Sequence, residues 1–337
     1  MVEKGKYIPI KPVRDDKSIG EMREKYGSAI YAIDPYVEVF KVMDNVWAML
    51  APCTHAMGDN WIYLIEGPEK ALFIDSGFGV GNLLGLGELL TGKICVTAPT
   101  HEHGDHAYGC SQFSEVYALS SNADMLRPTM SREAWESFNH VHEDQFRPYF
   151  LEDDVVKSFE YDIIVCPNHY CINLGEDYDV EMIHVGGHSC GETCFLDKKA
   201  KVLYTGDAYF FSPSDRPGLG VGLSVGNASR PGHVDLHPEF SDFRYFAAQT
   251  AILAERSDEW DYCMPGHGPT VAPGNIVADT DKALKIAMNN PFDYNEKAMS
   301  SFGPGYNVHV GDARIRYSDP QAMADMLKED FEMPAEK

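Results

Sequence analysis

Seven residues constrain this chain more than its length or composition does. His101, His103, Asp105 and His106 fall within six consecutive positions in THEHGDH. His188 follows in GGHSCGET, Asp207 in YTGDA and His267 in MPGHG. Imidazole and carboxylate donors at this density suit a divalent transition metal such as zinc. Five histidines and two aspartates exceed what one tetrahedral ion takes. They fit two ions sharing a bridging group, an arrangement that generates a hydroxide for hydrolysis. Asp105 can also cap a helix, but capping does not explain the cluster.

The run HxHxDH, then a histidine after Gly-Gly, an aspartate after Thr-Gly and a histidine between glycines, resembles the metallo-β-lactamase superfamily in order and spacing. The resemblance covers residues 41 to about 270. It implies an α/β (α+β) fold, an αββα four-layer sandwich of two mixed sheets with helices outside. Carried over residue by residue, it implies that His101, His103 and His188 hold one metal ion. Asp105, His106 and His267 would hold a second, with Asp207 bridging both. Zinc is the expected metal, with iron and manganese as alternatives. Asp207 narrows the resemblance, because zinc β-lactamases generally carry cysteine or serine at that place. Hydroxyacylglutathione hydrolases and acyl-homoserine lactonases resemble this chain in having the aspartate. Flavodiiron proteins have glutamate where this chain has His103, with Glu102 one place off. Both departures point away from antibiotic hydrolysis and oxygen reduction.

The implied reaction is metal-dependent hydrolysis of a small-molecule ester, thioester or lactone. Two ions about 3.5 Å apart bring a bridging water near neutrality and polarise the carbonyl. Asp105 is expected to shuttle a proton to the leaving group. Tyr209 either donates to the oxyanion or serves as an aromatic wall. Asp75, in FIDSG, either orients a ligand histidine or caps a turn. His55 and Tyr108 fit the mouth of a site or ordinary surface and core positions alike. His233 and His237 are candidates for substrate contact. The alternatives are an oxidoreductase resembling the mononuclear iron persulfide dioxygenases, a β-lactamase, and a binding protein without turnover.

The chain carries 52 acidic and 28 basic residues, a net charge of −24. Such a surface repels phosphate backbones and anionic membranes, so nucleic acid and membrane partners are not expected. No apolar run reaches the roughly eighteen residues of a spanning helix. The start, MVEKGKYIPIKPVRDD, lacks the apolar region of a secretory signal. A cytoplasmic location with reduced thiols is therefore expected for the eight cysteines. Cys190 and Cys194, flanking the His188 segment, read as small side chains packing a turn.

Along the chain, residues 1–40 read as an N-terminal extension with a short helix near 18–26. Residues 41–270 read as the catalytic domain, and 271–337 as a C-terminal helix and strand extension. Strands are expected at 46–50, 60–66, 93–98, 178–185, 201–204 and 260–264, several delivering a ligand at their ends. Helices are expected at 79–90, 240–256 and 278–288. Residues 120–151 read as a helical insertion and 211–238 as a long Gly/Pro/Ser-rich loop, both able to enclose a pocket. YNVHVGDARIRY alternates like a single strand, offering an edge to a homo-oligomer.

Overall fold

The computed structural model describes residues 17–51, 60–141, 152–213, 221–223, 236–300 and 303–335. The expected roles of His55 and His233, and most of the 211–238 loop, lie outside these residues. Two compact units make up the chain. The first comprises residues up to 118 with 126–166 and 172–179; the second comprises 119–125, 167–171 and 180–337.

The first unit is built on an eight-stranded sheet whose spatial order follows the chain. Its strands are Ala29–Tyr31, Asp34–Met43, Val46–Ala51, Asn60–Glu66, Lys70–Ile74, Ile94–Ala98, Val116–Leu119 and Ile163–Cys166. Asp34–Met43 pairs with Val46–Ala51, so the sheet runs through the expected boundary at residue 40. Asn60–Glu66 bonds antiparallel neighbours on both sides, Leu64 facing Trp47 and Phe73. Ile62, Tyr63, Leu64, Ile65 and Ala71 are almost wholly buried. The pairing then turns parallel, Ile74 opposite Ala98. Buried parallel strands are apolar on both faces, as Leu72, Phe73, Val96 and Ala98 are here.

The helix expected at 79–90 is shorter, Leu83–Thr91. Gly79 and Gly81 adopt φ of +71° and +89°, left-handed conformations that keep their segment out of the helix. Asn82 caps it instead, accepting from Gly85 N at 3.0 Å. In the insertion, Arg132–Val141 is helical. Trp135 packs with Phe78, Tyr108 and Phe159, and its indole donates to Phe78 O at 2.9 Å.

In the second unit, Ala272–Pro273, Tyr262–Pro265, Val202–Gly206, Thr193–Asp197 and Asp179–His184 lie side by side in that order. Val202–Gly206 and Tyr262–Pro265 are parallel, Leu203 opposite Cys263 and Gly206 opposite Pro265. The connection between them carries the helix Phe243–Ala254, whose inner face buries Phe243, Phe246, Ala247 and Leu253. A further helix, Ile276–Asn289, shares this core with Ile315 and Tyr317. The alternating segment near the C-terminus is a hairpin rather than one strand. Gly303–Val310 and Ala313–Tyr317 pair antiparallel about Gly311-Asp312. Glu296–Ser300 and Val221–Leu223 cover the two sides, so the edge expected for a partner is occupied within the chain. No described helix is long and apolar enough to cross a membrane.

Candidate metal centre

In the first unit, the buried strand Ile94–Ala98 delivers the chain to Pro99, Thr100 and His101. His101 and His106 are fully buried, and Asp105 nearly so. His103 caps the four-residue helix Gly104–Ala107, which carries Asp105 and His106. Four donors thereby converge. His101 Nε2 lies 2.8 Å from His103 Nδ1. The rings of His101 and His106 are 4.2 Å apart between centroids. Asp105 Oδ2 is 3.5 Å from His106 Nε2.

Asp75 organises this cluster, bonding both the turn at Thr100 and the ring of His106. Its Oδ1 accepts from Thr100 N at 2.7 Å and Thr100 Oγ1 at 3.0 Å. Its Oδ2 is 2.8 Å from His106 Nδ1. A carboxylate only accepts, so Nδ1 carries the proton and Nε2 keeps its lone pair. Asp75 holds φ at +66°, where aspartate and asparagine are better tolerated than most residues. Asn60 supports the short helix from the other side, donating to Asp105 O at 2.5 Å.

In the second unit, Gly186 and Gly187 take φ of +61° and +84°, left-handed conformations that turn the chain between the strand Asp179–His184 and His188. Asp207 and His267 follow the adjacent parallel strands Val202–Gly206 and Tyr262–Pro265, so both leave the same end. Gly266 N donates to Gly206 O at 2.7 Å and ties the two departing loops together. As a result Asp207 Oδ2 stands 3.4 Å from His188 Nε2 and 3.6 Å from His267 Nε2. One carboxylate oxygen is thus flanked by two imidazole nitrogens. All seven residues are among those whose donor atoms could hold a metal ion. The donor chemistry is imidazole and carboxylate without an ammonium or guanidinium among them, buried in every case but the half-buried His103, and fits divalent cations.

Other expectations resolve differently. Tyr209 is not placed to donate to an oxyanion. It is fully buried in the second unit's core, its hydroxyl 3.0 Å from Thr250 Oγ1 and its ring stacked on Phe246. Tyr108 belongs to the aromatic cluster with Trp135 and Phe159 rather than to a mouth. His237 Nε2 meets Asp124 Oδ2 at 3.0 Å. Cys190 and Cys194 are buried among apolar side chains, as expected. Burial, followed by the charge of Glu192, raises the Cys194 thiol well above its ordinary range.

Two residues went unnoticed in the sequence. His184 bonds through Nε2 to Cys190 O and through Nδ1 to Tyr245 Oη, both at 2.8 Å, closing the loop that carries His188. Glu192 reaches the backbone of Asp207 at 3.0 Å. The one available signal was their placement four residues to either side of His188.

Residues 57–294 match the family model of the Metallo-beta-lactamase superfamily. The chain belongs to this superfamily. The matched stretch starts later and ends later than the 41 to about 270 read from the motifs. Among curated relatives, the Acyl-coenzyme A thioesterase MBLAC2 of Bos taurus and that of Homo sapiens are each 28% identical over 163 residues, 44% of this chain and 58% of theirs. The Gallus gallus protein of the same name is 30% identical over 168 residues, 44% of this chain and 57% of its own. The match thus spans less than two thirds of these relatives.

Solved metallo-beta-lactamases share the fold. One from Pontibacter korlensis is 17% identical at a TM-score of 0.50, covering 74% of this chain and 99% of its own. The metallo-beta-lactamase DIM-1 exposed to ceftazidime is 16% identical at a TM-score of 0.50, covering 75% and 99%. The mixed α/β class expected from the motifs is the class observed.

Proposed function

We propose that this chain is a dinuclear metal-dependent hydrolase acting on a small-molecule thioester, ester or lactone. The observation that carries the reading is Asp207 Oδ2, flanked by His188 and His267 nitrogens at 3.4 and 3.6 Å. In this reading His101, His103 and His188 would hold one ion and Asp105, His106 and His267 the other, with Asp207 shared between them. Two such ions, when bound, would supply the Lewis acidity that makes water a nucleophile near neutral pH.

The chain's own side chains supply orientation and proton handling. Asp75 fixes His106 with Nδ1 protonated, leaving Nε2 to ligate. Thr100 Oγ1, 3.0 Å from His101 Nδ1, restrains that ring so that Nε2 faces His103. Asp105 is the carboxylate suited to pass a proton to the leaving group, through an oxygen not engaged in ligation. Thioesters are the favoured class, because the curated relatives are named as acyl-coenzyme A thioesterases. The reading extends to a cytoplasmic enzyme, and the net charge of −24 supports the absence of nucleic acid and anionic membrane partners.

The test joins elemental analysis of the purified chain to a panel of acyl thioesters, aryl esters and lactones, with RNA and DNA alongside. Two metal ions per chain and turnover of at least one carbonyl substrate are expected, both depressed in Asp207→Ala. Saturation at one iron, with oxygen consumed on a persulfide, would turn the assignment to a dioxygenase. Phosphodiester cleavage without carbonyl turnover would make it a nuclease.

A further inference from the structure

Glu192 is a fully buried carboxylate that the proposed chemistry leaves without a task. Its Oε1 accepts the backbone N–H of Asp207 at 3.0 Å, across fifteen positions of chain. Its own carbonyl accepts from Val185 N at 3.0 Å and Gly186 N at 3.2 Å, and its amide donates to Ser189 O at 3.2 Å. A single residue is therefore bonded on both sides of His188 and also to the start of the Asp207 loop.

A buried carboxylate is costly unless donors compensate it, and a backbone carbonyl or hydroxyl could satisfy the Asp207 N–H more cheaply. What Glu192 adds is reach, since its side chain crosses from one ligand loop to the next. We infer that Glu192 is a positioning residue that sets the approach of Asp207 to His188, and through it the affinity of the centre for metal. The inference rests on the dinuclear reading above. Glu192 touches the backbone of a ligand and needs no contact with substrate. Its acceptor atom and length matter, and its charge does not.

Two substitutions separate these properties in the full-length chain. Glu192→Gln keeps the acceptor and the length while removing the charge. Glu192→Asp keeps the charge but falls one methylene short of Asp207 N. Zinc retention is measured by elemental analysis after equilibration with a graded series of chelator concentrations, beside thermal unfolding of the metal-free proteins. Support for partners in the shell around a metal is worth roughly 10–100-fold in affinity. A loss of that size is expected in Glu192→Asp, with Glu192→Gln close to the parent. The metal-free unfolding temperatures of the two variants should differ far less than their zinc affinities.

Equal zinc affinity in Glu192→Asp and the parent overturns the inference alone. So does a loss in Glu192→Gln as large as that in Glu192→Asp, because Glu192→Gln keeps both the acceptor and the reach. Should Glu192→Asp fail to fold, Glu192→Ala removes the same reach and is judged against Glu192→Gln in the same way. A parent chain that binds no zinc, iron or manganese overturns the dinuclear reading, and this inference with it.

Discussion

Asp75 shows how much one side chain can decide. It satisfies Thr100 twice and fixes the tautomer of His106. Asparagine tolerates the same positive φ and still accepts from Thr100 N. Its amide group, however, would donate toward His106 Nδ1 and drive the ring proton to Nε2, where a metal would bind. Asp75→Asn should therefore remain folded while losing roughly 10–100-fold in metal affinity, read by chelator competition with circular dichroism as the control. A variant that binds metal as tightly as the parent would show that the tautomer is set elsewhere. Reading Asp75 from sequence left two roles open because a turn cap and a histidine partner use the same carboxylate. Tyr209 shows the opposite difficulty. Its position two residues after Asp207 suggested chemistry, yet a phenol there can equally turn inward, and Thr250 lies too far along the chain to be seen as its partner.

At the level of elements, the helix Phe243–Ala254 joins the strand before Asp207 to the strand before His267. Asp242 caps it, accepting from Arg244 N at 2.7 Å and gripping the Arg244 guanidinium as well. Removing an aspartate N-cap costs about 1 kcal/mol. Asp242→Ala should lower the urea midpoint by a corresponding amount without altering the slope. An unchanged midpoint would mean the guanidinium contacts to Met326 O and Glu329 O hold the helix end unaided. Elements with strong local signals were legible. Asn60–Glu66 matches residue for residue, and Ile276–Asn289 extends its expected helix by a residue or two. Val116–Leu119 and Thr193–Asp197 escaped notice, being short and apolar without alternation, a pattern that buried helices share. The C-terminal hairpin reads as one strand in the sequence because the alternation resumes directly after Gly311-Asp312. Of the candidate centre, the donor residues could be read locally. The supports from His184, Glu192 and Asn60 depend on long-range register and could not.

For the molecule as a whole, stability should vary with pH through Asp34. It is fully buried, accepting from Tyr36 N at 3.1 Å, and Oδ2 has no partner among the described residues. Burial, with the charge of Asp154 adding to it, raises its carboxyl from 3.8 to about 7. The folded chain thus keeps a proton that the unfolded chain releases above 3.8. This contribution is complete below the unfolded value and is lost as pH rises toward 7. Asp34→Asn, neutral throughout, should be more stable than the parent at pH 8, by an amount on the order of 1–3 kcal/mol. The advantage should shrink toward pH 4, as followed by urea unfolding across that range; a constant difference would discount the titration. The parallel pairing of Val202–Gly206 with Tyr262–Pro265 carries a consequence in time. During synthesis Asp207 leaves the ribosome well before His267, and the intervening crossover must wind and pack before the two strands can meet. Non-local parallel pairing is slow to form. Refolding from urea should accordingly recover helical circular dichroism first, with the visible spectrum of bound cobalt developing only in a later phase. A nascent chain halted before residue 260 would carry an aspartate still waiting for its histidine.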